Sequence, residues 1–335
     1  MIFFPYRAEL PVYRPPIFTI LICLICIGVF VHQARNADQV FTSTFEFCKE
    51  SSSRSFKLTL KKSLDSISDE ACAWILYQIH SAKVPQEAIV DIAKHAKPLA
   101  SLSAAQSRQF LETTLSREYN EYTLRVPDNL TTDLWYRPDT WDPFTMLTSV
   151  FAHASWGHLI GNLAFFIAFS VALECLIGYV FYPIVFVALA VGTNLSYSLY
   201  SMVQESVTPT IGLSGVVMGI VAMLVFFIPR IRIRWFVWLI FAVWRPAIPA
   251  WLIAIFYIGF DTYSLLSLDQ LGTVNLVAHV SGGVLGYLLG YILFWKKREE
   301  LLDELEFNGS YQSNNPHRAR RRRNSHIRRT RQRRR

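Results

Sequence analysis

Four polar side chains interrupt otherwise apolar stretches of the sequence, and their types suit one kind of chemistry. Ser214 lies in TIGLSGVVMGI and His279 in LVAHVSGGVLG, while His158 and Asn162 are four residues apart and would project from one helix face. A serine becomes a nucleophile when a neighbouring imidazole takes its proton, and the oxyanion that follows needs hydrogen-bond donors. The set predicts acyl transfer, with Ser214 as nucleophile, His279 as base and the other two side chains as donors.

The segments that carry these residues are apolar enough to cross a membrane. Of the 335 residues, 52% are hydrophobic and only 17% are charged, which is more apolar than a water-soluble domain of this size. A helical span needs about 20 apolar residues. Consecutive spans alternate in direction, so the second, fourth and sixth would all begin at the external face. The six transmembrane helices that we predict are residues 17–33, 158–177, 180–203, 211–229, 246–266 and 275–295.

This alternation places the four polar side chains in one shallow layer, within the first one or two turns of spans two, four and six. Any one of them alone is better explained by helix packing or, for a histidine, by a proton relay in a transporter. Their coincidence at one depth favours a site. Small residues let helix backbones approach closely, and glycines recur at four-residue spacing on span four (Gly215, Gly219) and span six (Gly282, Gly286, Gly290).

Short loops predict the orientation, because Lys and Arg accumulate on the cytoplasmic side of membrane proteins. Basic residues precede span one, separate spans four and five, and follow span six. We therefore expect residues 1–16 and 296–335 in the cytoplasm and residues 34–140 outside. The run Trp235–Trp244 is too short to cross, and its three tryptophans predict an interfacial position.

The cytoplasmic end of the chain is strongly basic. Residues 318–335 hold 11 arginines and no acidic residue, a composition typical of a disordered segment that binds anions. Anionic lipid headgroups are the nearest anions to such a tail, and they are the predicted partner. Nucleic acid is the less favoured alternative, because an arginine run without interleaved aromatic residues binds any phosphate.

The external segment, residues 34–140, is predicted to contain a small helical domain. Apolar residues recur at helical spacing over residues 69–124, whereas residues 36–68 show no sustained periodicity. Three helices are expected, because prolines punctuate the periodic part at Pro85, Pro98 and Pro127.

The external segment contains two histidines and two cysteines that could belong to a site. His80 and His95 lack the spacing of metal ligands and are expected on exposed helix faces. Cys48 and Cys72 share the one compartment in which a disulfide persists, and the sequence leaves open whether they pair.

Three short motifs surround the four polar residues. GLSG contains Ser214, HLIGN runs from His158 to Asn162, and AHVSGGVLG contains His279. Over about residues 141–295 they resemble the motifs of the rhomboid intramembrane serine proteases. The resemblance implies a six-helix core, a Ser–His dyad without a third carboxylate, and cleavage of other proteins' transmembrane segments. It assigns Ser214 as nucleophile, His279 as general base and then acid, and His158, Asn162 and the Ser214 backbone N–H as the oxyanion hole.

The chain departs from the family pattern at two places. Phe144 and Thr145 stand where the family commonly has a Trp-Arg pair, and Met218 stands where an aromatic residue often stacks on the catalytic histidine. Trp135, Arg137 and Trp141 are expected to anchor the external loop instead. The resemblance implies structural roles near the site for His153, Gly212, Gly215, Met218, Gly282 and Gly286.

The sequence thus predicts an all-α polytopic membrane protein with a helical external insertion between helices 1 and 2 and a rhomboid-like core at residues 141–295. The predicted activity is that of an intramembrane serine endopeptidase acting on single-span membrane proteins, without metal or other cofactor. An inactive relative that binds membrane helices as a scaffold is the alternative. A transporter is the third choice, although it would carry more intramembrane carboxylates or broken helices. The compact core suggests the inner membrane of a bacterium.

Overall fold

The structure, a computed structural model, is mostly helical. It describes residues 2–10, 12–64, 69–82, 84–100, 102–204, 208–239, 241–267 and 275–307. The arginine-rich tail at residues 318–335 lies outside the described residues. The helices of the described part are α1 Ile17–Glu46, α2 Arg54–Leu64, α3 Asp69–His80, α4 Pro85–His95, α5 Ala104–Thr123, α6 Leu130–Leu134, α7 Pro143–Thr148, α8 Trp156–Gln204, α9 Ser214–Phe227, α10 Ala250–Leu266 and α11 Leu276–Phe307.

Several helices have the character of membrane spans. Among the described residues, three are long and apolar enough to cross a bilayer, namely Ile17–Ser51, Trp156–Gln204 and Leu276–Lys296, and α9 and α10 are shorter apolar helices. The 49-residue α8 is interrupted at Gly178, whose φ of 78° is outside the helical range. The break falls between the segments predicted as spans two and three. The count of six crossings stays a prediction.

Helix α9 is the centre of the apolar core. Twelve of its 14 residues are buried, mainly against α8 and α11. Lipid is as apolar as the core, so burial of apolar surface contributes little to helix association in a membrane, and close packing of small residues contributes more. The glycines of α9 and α11 therefore decide how closely these helices approach.

A buried carboxylate connects α1 to α8. Glu174, which is 1% exposed, accepts hydrogen bonds from the backbone N–H groups of Phe18 at 2.9 Å and Thr19 at 2.8 Å, and from the Thr19 hydroxyl at 2.6 Å. The first N–H groups of a helix have no partner inside that helix, and negative charge near its N-terminus is favourable. Glu174 therefore fixes the start of α1 against the core.

The all-α prediction is wrong at the end of α9 opposite Ser214. There an antiparallel four-stranded sheet has the order β1–β2–β3, with β4 also pairing with β2. In residues 231–235 a buried isoleucine or tryptophan alternates with an exposed arginine. This period of two favours a strand. The run predicted to be interfacial forms most of β2 and β3. The strands are β1 Ile2–Ala8, β2 Arg232–Leu239, β3 Ala242–Trp244 and β4 Ala247–Pro249.

The external segment has its own buried cluster, to which the second half of α1 contributes. The three helices expected after residue 69 are present as α3, α4 and α5. Residues 36–64, for which no regular structure was expected, are largely helical as well, because α1 continues to Glu46 and α2 follows. Tertiary contacts stabilise these helices although the sequence shows no periodicity. Val40 and Thr44 are fully buried, and the Thr44 hydroxyl bonds to that of Tyr122 at 2.8 Å.

The two cysteines and the two histidines of the external segment can now be compared with what the sequence predicts. Cys48 and Cys72 form a disulfide, with their Cα atoms 5.9 Å apart. The expectation that His80 is exposed is wrong, since it is 8% exposed and its ring nitrogens bond to the Tyr119 hydroxyl and the Pro127 carbonyl. Burial lowers the pKa of His80. His95 is exposed, as expected.

Candidate active site

Ser214 is the first residue of α9, and the turn that precedes it is tied to the loop before α8. Thr210 exchanges two backbone hydrogen bonds with Tyr136, at 2.8 and 2.9 Å, and the Gly212 N–H donates to the Ser149 carbonyl at 3.0 Å. Ser214 itself is half-buried. Its position is therefore set by backbone contacts at the N-terminal end of α9.

His279 lies in the first turn of α11. The side chain of Asn275 caps this helix by accepting the N–H of Ala278 at 3.0 Å, which fixes where the helix begins. The ring of His279 is buried, and its Nδ1 lies 2.7 Å from Oδ2 of Asp261 on α10. The other ring nitrogen, Nε2, is buried without a hydrogen-bond partner among the described residues.

Glycine contacts bring the backbones next to Ser214 and His279 together. A β-carbon at Gly215 would lie 3.1 Å from the Ala278 carbonyl oxygen, and one at Gly282 would overlap the Gly215 carbonyl. The glycine contact between these helices that the spacing predicts is thus present, and Gly286 repeats it against Gly219 one turn deeper. Gly215 and Ala278 are the chain neighbours of Ser214 and His279, so this close contact of the helices lies next to both residues in the chain.

His158 and Asn162 contact the turn before Ser214 from the start of α8. A β-carbon at Gly212, whose φ is 117°, would lie 2.7 Å from Cε1 and 2.9 Å from Nε2 of His158, and 3.5 Å from Nδ2 of Asn162. The Nδ1 of His158 accepts the Ala154 N–H at 3.4 Å, which leaves the proton on Nε2. Both side chains therefore direct an N–H group toward the chain that leads into Ser214.

Unpartnered polar nitrogens concentrate around this turn. The Nδ2 of Asn162, the Nε2 of His279 and the Nε2 of His153 are all buried without a hydrogen-bond partner among the described residues. The His153 ring lies 5.2 Å from that of His158, and burial lowers the pKa of His153 to about 4. Leaving a buried polar group unpaired costs about 1–3 kcal/mol. Three such groups lie in one region of the described structure, which makes that region the candidate binding site for a polar group.

The Ser214 hydroxyl is not hydrogen-bonded to His279, because the Nε2 of that ring has no partner. Catalytic hydrogen bonds are often long until substrate is bound. Met218 is buried one turn deeper on α9, and its contact with the imidazole stays a prediction.

Tyr136 and Ser198, which the sequence did not indicate, anchor the loop before α8. The Tyr136 hydroxyl bonds to that of Ser198, which donates to the Pro138 carbonyl at 2.8 Å. Arg137 pairs instead with Asp139 inside the loop at 2.9 Å, and Trp141 is exposed.

Sequence reasoning missed Asp261. It is the one carboxylate in α10, AWLIAIFYIGFDTYSLL, and an ionisable side chain in an apolar helix is reason enough to examine it. The pattern that predicts the site joins histidine, serine and asparagine on alternate spans, and Asp261 lies on an intervening one. Among the described residues, no group of three or more His, Cys, Asp or Glu side chains is placed to hold a metal ion.

Residues 140–296 match the family model described as the Rhomboid domain. No curated protein and no solved structure matches the chain. The matched segment contains each of the side chains placed around Ser214, and it excludes β1 and α1–α6.

Proposed function

Because the chain belongs to the rhomboid family through residues 140–296, we propose that it is an intramembrane serine endopeptidase. The rhomboid domain and the apolar helices make it an integral membrane protein. One observation carries the proposal: the Nε2 of His279 is buried without a hydrogen-bond partner among the described residues, and α11 packs against α9 at Gly215, the residue that follows Ser214. The substrates on this proposal are single-span membrane proteins, cut within or beside their transmembrane segments.

The proposed reaction is acyl transfer through a covalent intermediate. The Ser214 Oγ attacks the scissile carbonyl while its proton passes to Nε2 of His279, and the same proton then goes to the leaving amine. Water hydrolyses the acyl-enzyme by the same route. Asn162 Nδ2, His158 Nε2–H and the Ser214 N–H are proposed to bind the oxyanion, each donor being worth about 3 kcal/mol.

The length of α9 supports a site that water can reach. With 14 residues it is about 21 Å long at 1.5 Å per residue, shorter than the hydrocarbon core of about 30 Å. In the proposed six-span topology, with the core at residues 141–295 and both termini cytoplasmic, Ser214 lies just below the external surface of a bacterial inner membrane. At that depth the acyl-enzyme is close to the water that hydrolyses it.

The basic tail is proposed to hold the protein against anionic lipid. Each arginine near a charged membrane surface contributes about 1 kcal/mol, and residues 318–335 carry 11 of them. Deleting residues 312–335 should weaken binding to vesicles that contain anionic lipid and leave turnover in detergent nearly unchanged. A truncated enzyme that lost most of its turnover would show that the tail is structural.

The decisive experiment is incubation of the purified full chain with a model single-span substrate, followed by sequencing of the fragments. Ser214→Ala and His279→Ala should each remove nearly all cleavage, and the double variant should be no worse, since nucleophile and base act as one unit. A fluorophosphonate should label the wild type on Ser214. The control is Ser196→Ala, because Ser196 bonds to its own helix at the Gly192 carbonyl, 2.8 Å away.

Two results would contradict the protease assignment. One is undiminished cleavage by Ser214→Ala, and the other is fluorophosphonate labelling at another residue only. Either would favour the alternative of a scaffold that binds membrane helices without cutting them.

A further inference from the structure

Asp261 lies in an environment that is costly for a carboxylate. Helix α10 is otherwise free of charged residues, and the Asp261 side chain is only 14% exposed. An ionisable group inside a membrane helix is expensive and is a functional candidate by default. Its partner is His279.

The contact between the two side chains is supported by packing one turn deeper. Asp261 lies five residues before the end of α10, about 7.5 Å along the helix, and His279 lies about 4.5 Å into α11. Below them, a β-carbon at Gly283 would lie 2.9 Å from Cδ1 of Ile258. Glycine at 283 thus lets α10 approach α11, and this approach holds Oδ2 of Asp261 at 2.7 Å from Nδ1 of His279.

We propose that Asp261 is a positioning residue that completes a Ser214–His279–Asp261 relay, an inference that rests on the proposed protease function. Its carboxylate accepts the Nδ1–H of His279, which selects the tautomer with a lone pair on Nε2. That lone pair takes the Ser214 proton during attack. The carboxylate stays ionised and stabilises the imidazolium until the proton leaves with the amine.

The main competing explanation is a structural one, in which His279 merely satisfies a buried carboxylate. A structural bond alone would not require the opposite nitrogen to be available. The Nε2 of His279 is buried without a partner among the described residues, and the contact of Gly215 with Ala278 places the two helices together next to Ser214 and His279 in the chain. The carboxylate and the free nitrogen are on opposite sides of one ring, as a relay requires.

The test is Asp261→Asn in the purified full chain, with Thr262→Val as control. Thr262 is the next residue on α10, and its hydroxyl bonds to the Ile258 carbonyl of its own helix at 2.6 Å. In soluble serine proteases the equivalent aspartate-to-asparagine exchange lowers kcat about 10⁴-fold. We expect kcat for a model single-span substrate to fall at least about 100-fold, with KM little changed, and the control to keep its kcat.

The pH profile separates positioning from folding. Without an anionic neighbour the imidazolium is less stable, so the acidic limb of kcat/KM should move to lower pH in Asp261→Asn. A loss of folded protein would scale the whole profile without moving that limb. Asp261→Glu keeps the charge and should keep the wild-type limb at reduced kcat, and it decides the matter if the asparagine variant does not fold.

The two proposals fail in different ways. If the wild type cleaves and Asp261→Asn keeps kcat within about threefold with an unmoved acidic limb, Asp261 is structural and the protease assignment stands. The relay would also be overturned if Asp261→Glu shifted the acidic limb of kcat/KM, or if that variant kept the wild-type kcat. If the wild type neither cleaves nor takes up a fluorophosphonate on Ser214, the protease assignment itself is wrong.

Discussion

The carbonyl oxygen of Gly215 occupies the space that a β-carbon at Gly282 would need. The two glycines belong to α9 and α11, and they lie one and three residues from Ser214 and His279 respectively. Backbone therefore packs against backbone at this contact, and no side chain can yield to make room. The separation of the two helices at the level of the site depends directly on the absence of a side chain at position 282.

Gly282→Ala should force α9 and α11 apart. Overpacking of a well-packed core typically costs about 1–3 kcal/mol, so we expect a lower melting temperature and a large loss of cleavage. The matched control is Gly259→Ala on α10, where an added β-carbon would meet only Cγ2 of Ile255 at 3.9 Å. Equal melting temperatures and equal cleavage for the two variants would show that the contact is not critical.

Asn162→Ala should lower activity without lowering stability. Its Nδ2 has no partner among the described residues, so its removal breaks no bond made by that amide nitrogen, whereas loss of one oxyanion donor lowers kcat about 10²- to 10³-fold. The contrasting variant is Asn194→Ala, whose Nδ2 bonds to the Met146 carbonyl at 2.7 Å and which should melt at lower temperature. Thermal melts and kcat for both variants check this. A destabilised Asn162→Ala with normal kcat per folded molecule would contradict the assignment.

The Cys48–Cys72 disulfide should stabilise the external domain. It spans a sequence separation of 24 residues, which corresponds to about 3 kcal/mol in the chain-entropy model. Reduction, or the Cys48→Ser/Cys72→Ser double variant, should increase hydrogen exchange in α2 and α3 and leave α9 protected. Cys175→Ser is the control, since Cys175 forms no disulfide. Exchange that does not respond to reductant would mean that other contacts hold these helices.

The external domain should lose stability on acidification through His80. Burial lowers the pKa of His80, and the Pro127 carbonyl and the carboxylates of Asp128 and Asp133 oppose this to a smaller extent. Below about pH 6.5 the unfolded chain therefore binds more protons at this residue than the folded chain does, so stability falls as the pH falls.

Hydrogen exchange of α3 and α5 at pH 7.5 and 5.5 measures this effect, after correction for the intrinsic pH dependence of exchange. His80→Gln should reduce the difference between the two pH values, whereas His95→Gln, at an exposed position on α4, should not. A wild-type domain that is equally protected at both pH values would rule His80 out as the acid-sensitive group.

The sequence predicts the layer of Ser214, His279, His158 and Asn162 for a simple reason. Apolar runs and strict alternation of direction leave few arrangements of membrane helices, so the depth of a polar residue follows from its distance to the end of its run. The glycines at four-residue spacing were readable in the same way, because small residues on one helix face have a single common use in membranes. Both patterns lie within single segments, so they can be recognised from the sequence without knowledge of the tertiary structure.

Long-range contacts could not be read in this way. Asp261 lies 18 residues before His279, and only the tertiary structure shows that α10 packs close enough for the two to bond. The β1–β2 pairing joins residue 2 to residue 238, and the alternation in β2 could not indicate its partner. The bond between Cys48 and Cys72 depends in the same way on how the turn after α1, Phe47–Ser51, packs against α3. In each case the stabilising interaction joins segments that are distant in the sequence, and their relative geometry is decided only when the chain folds.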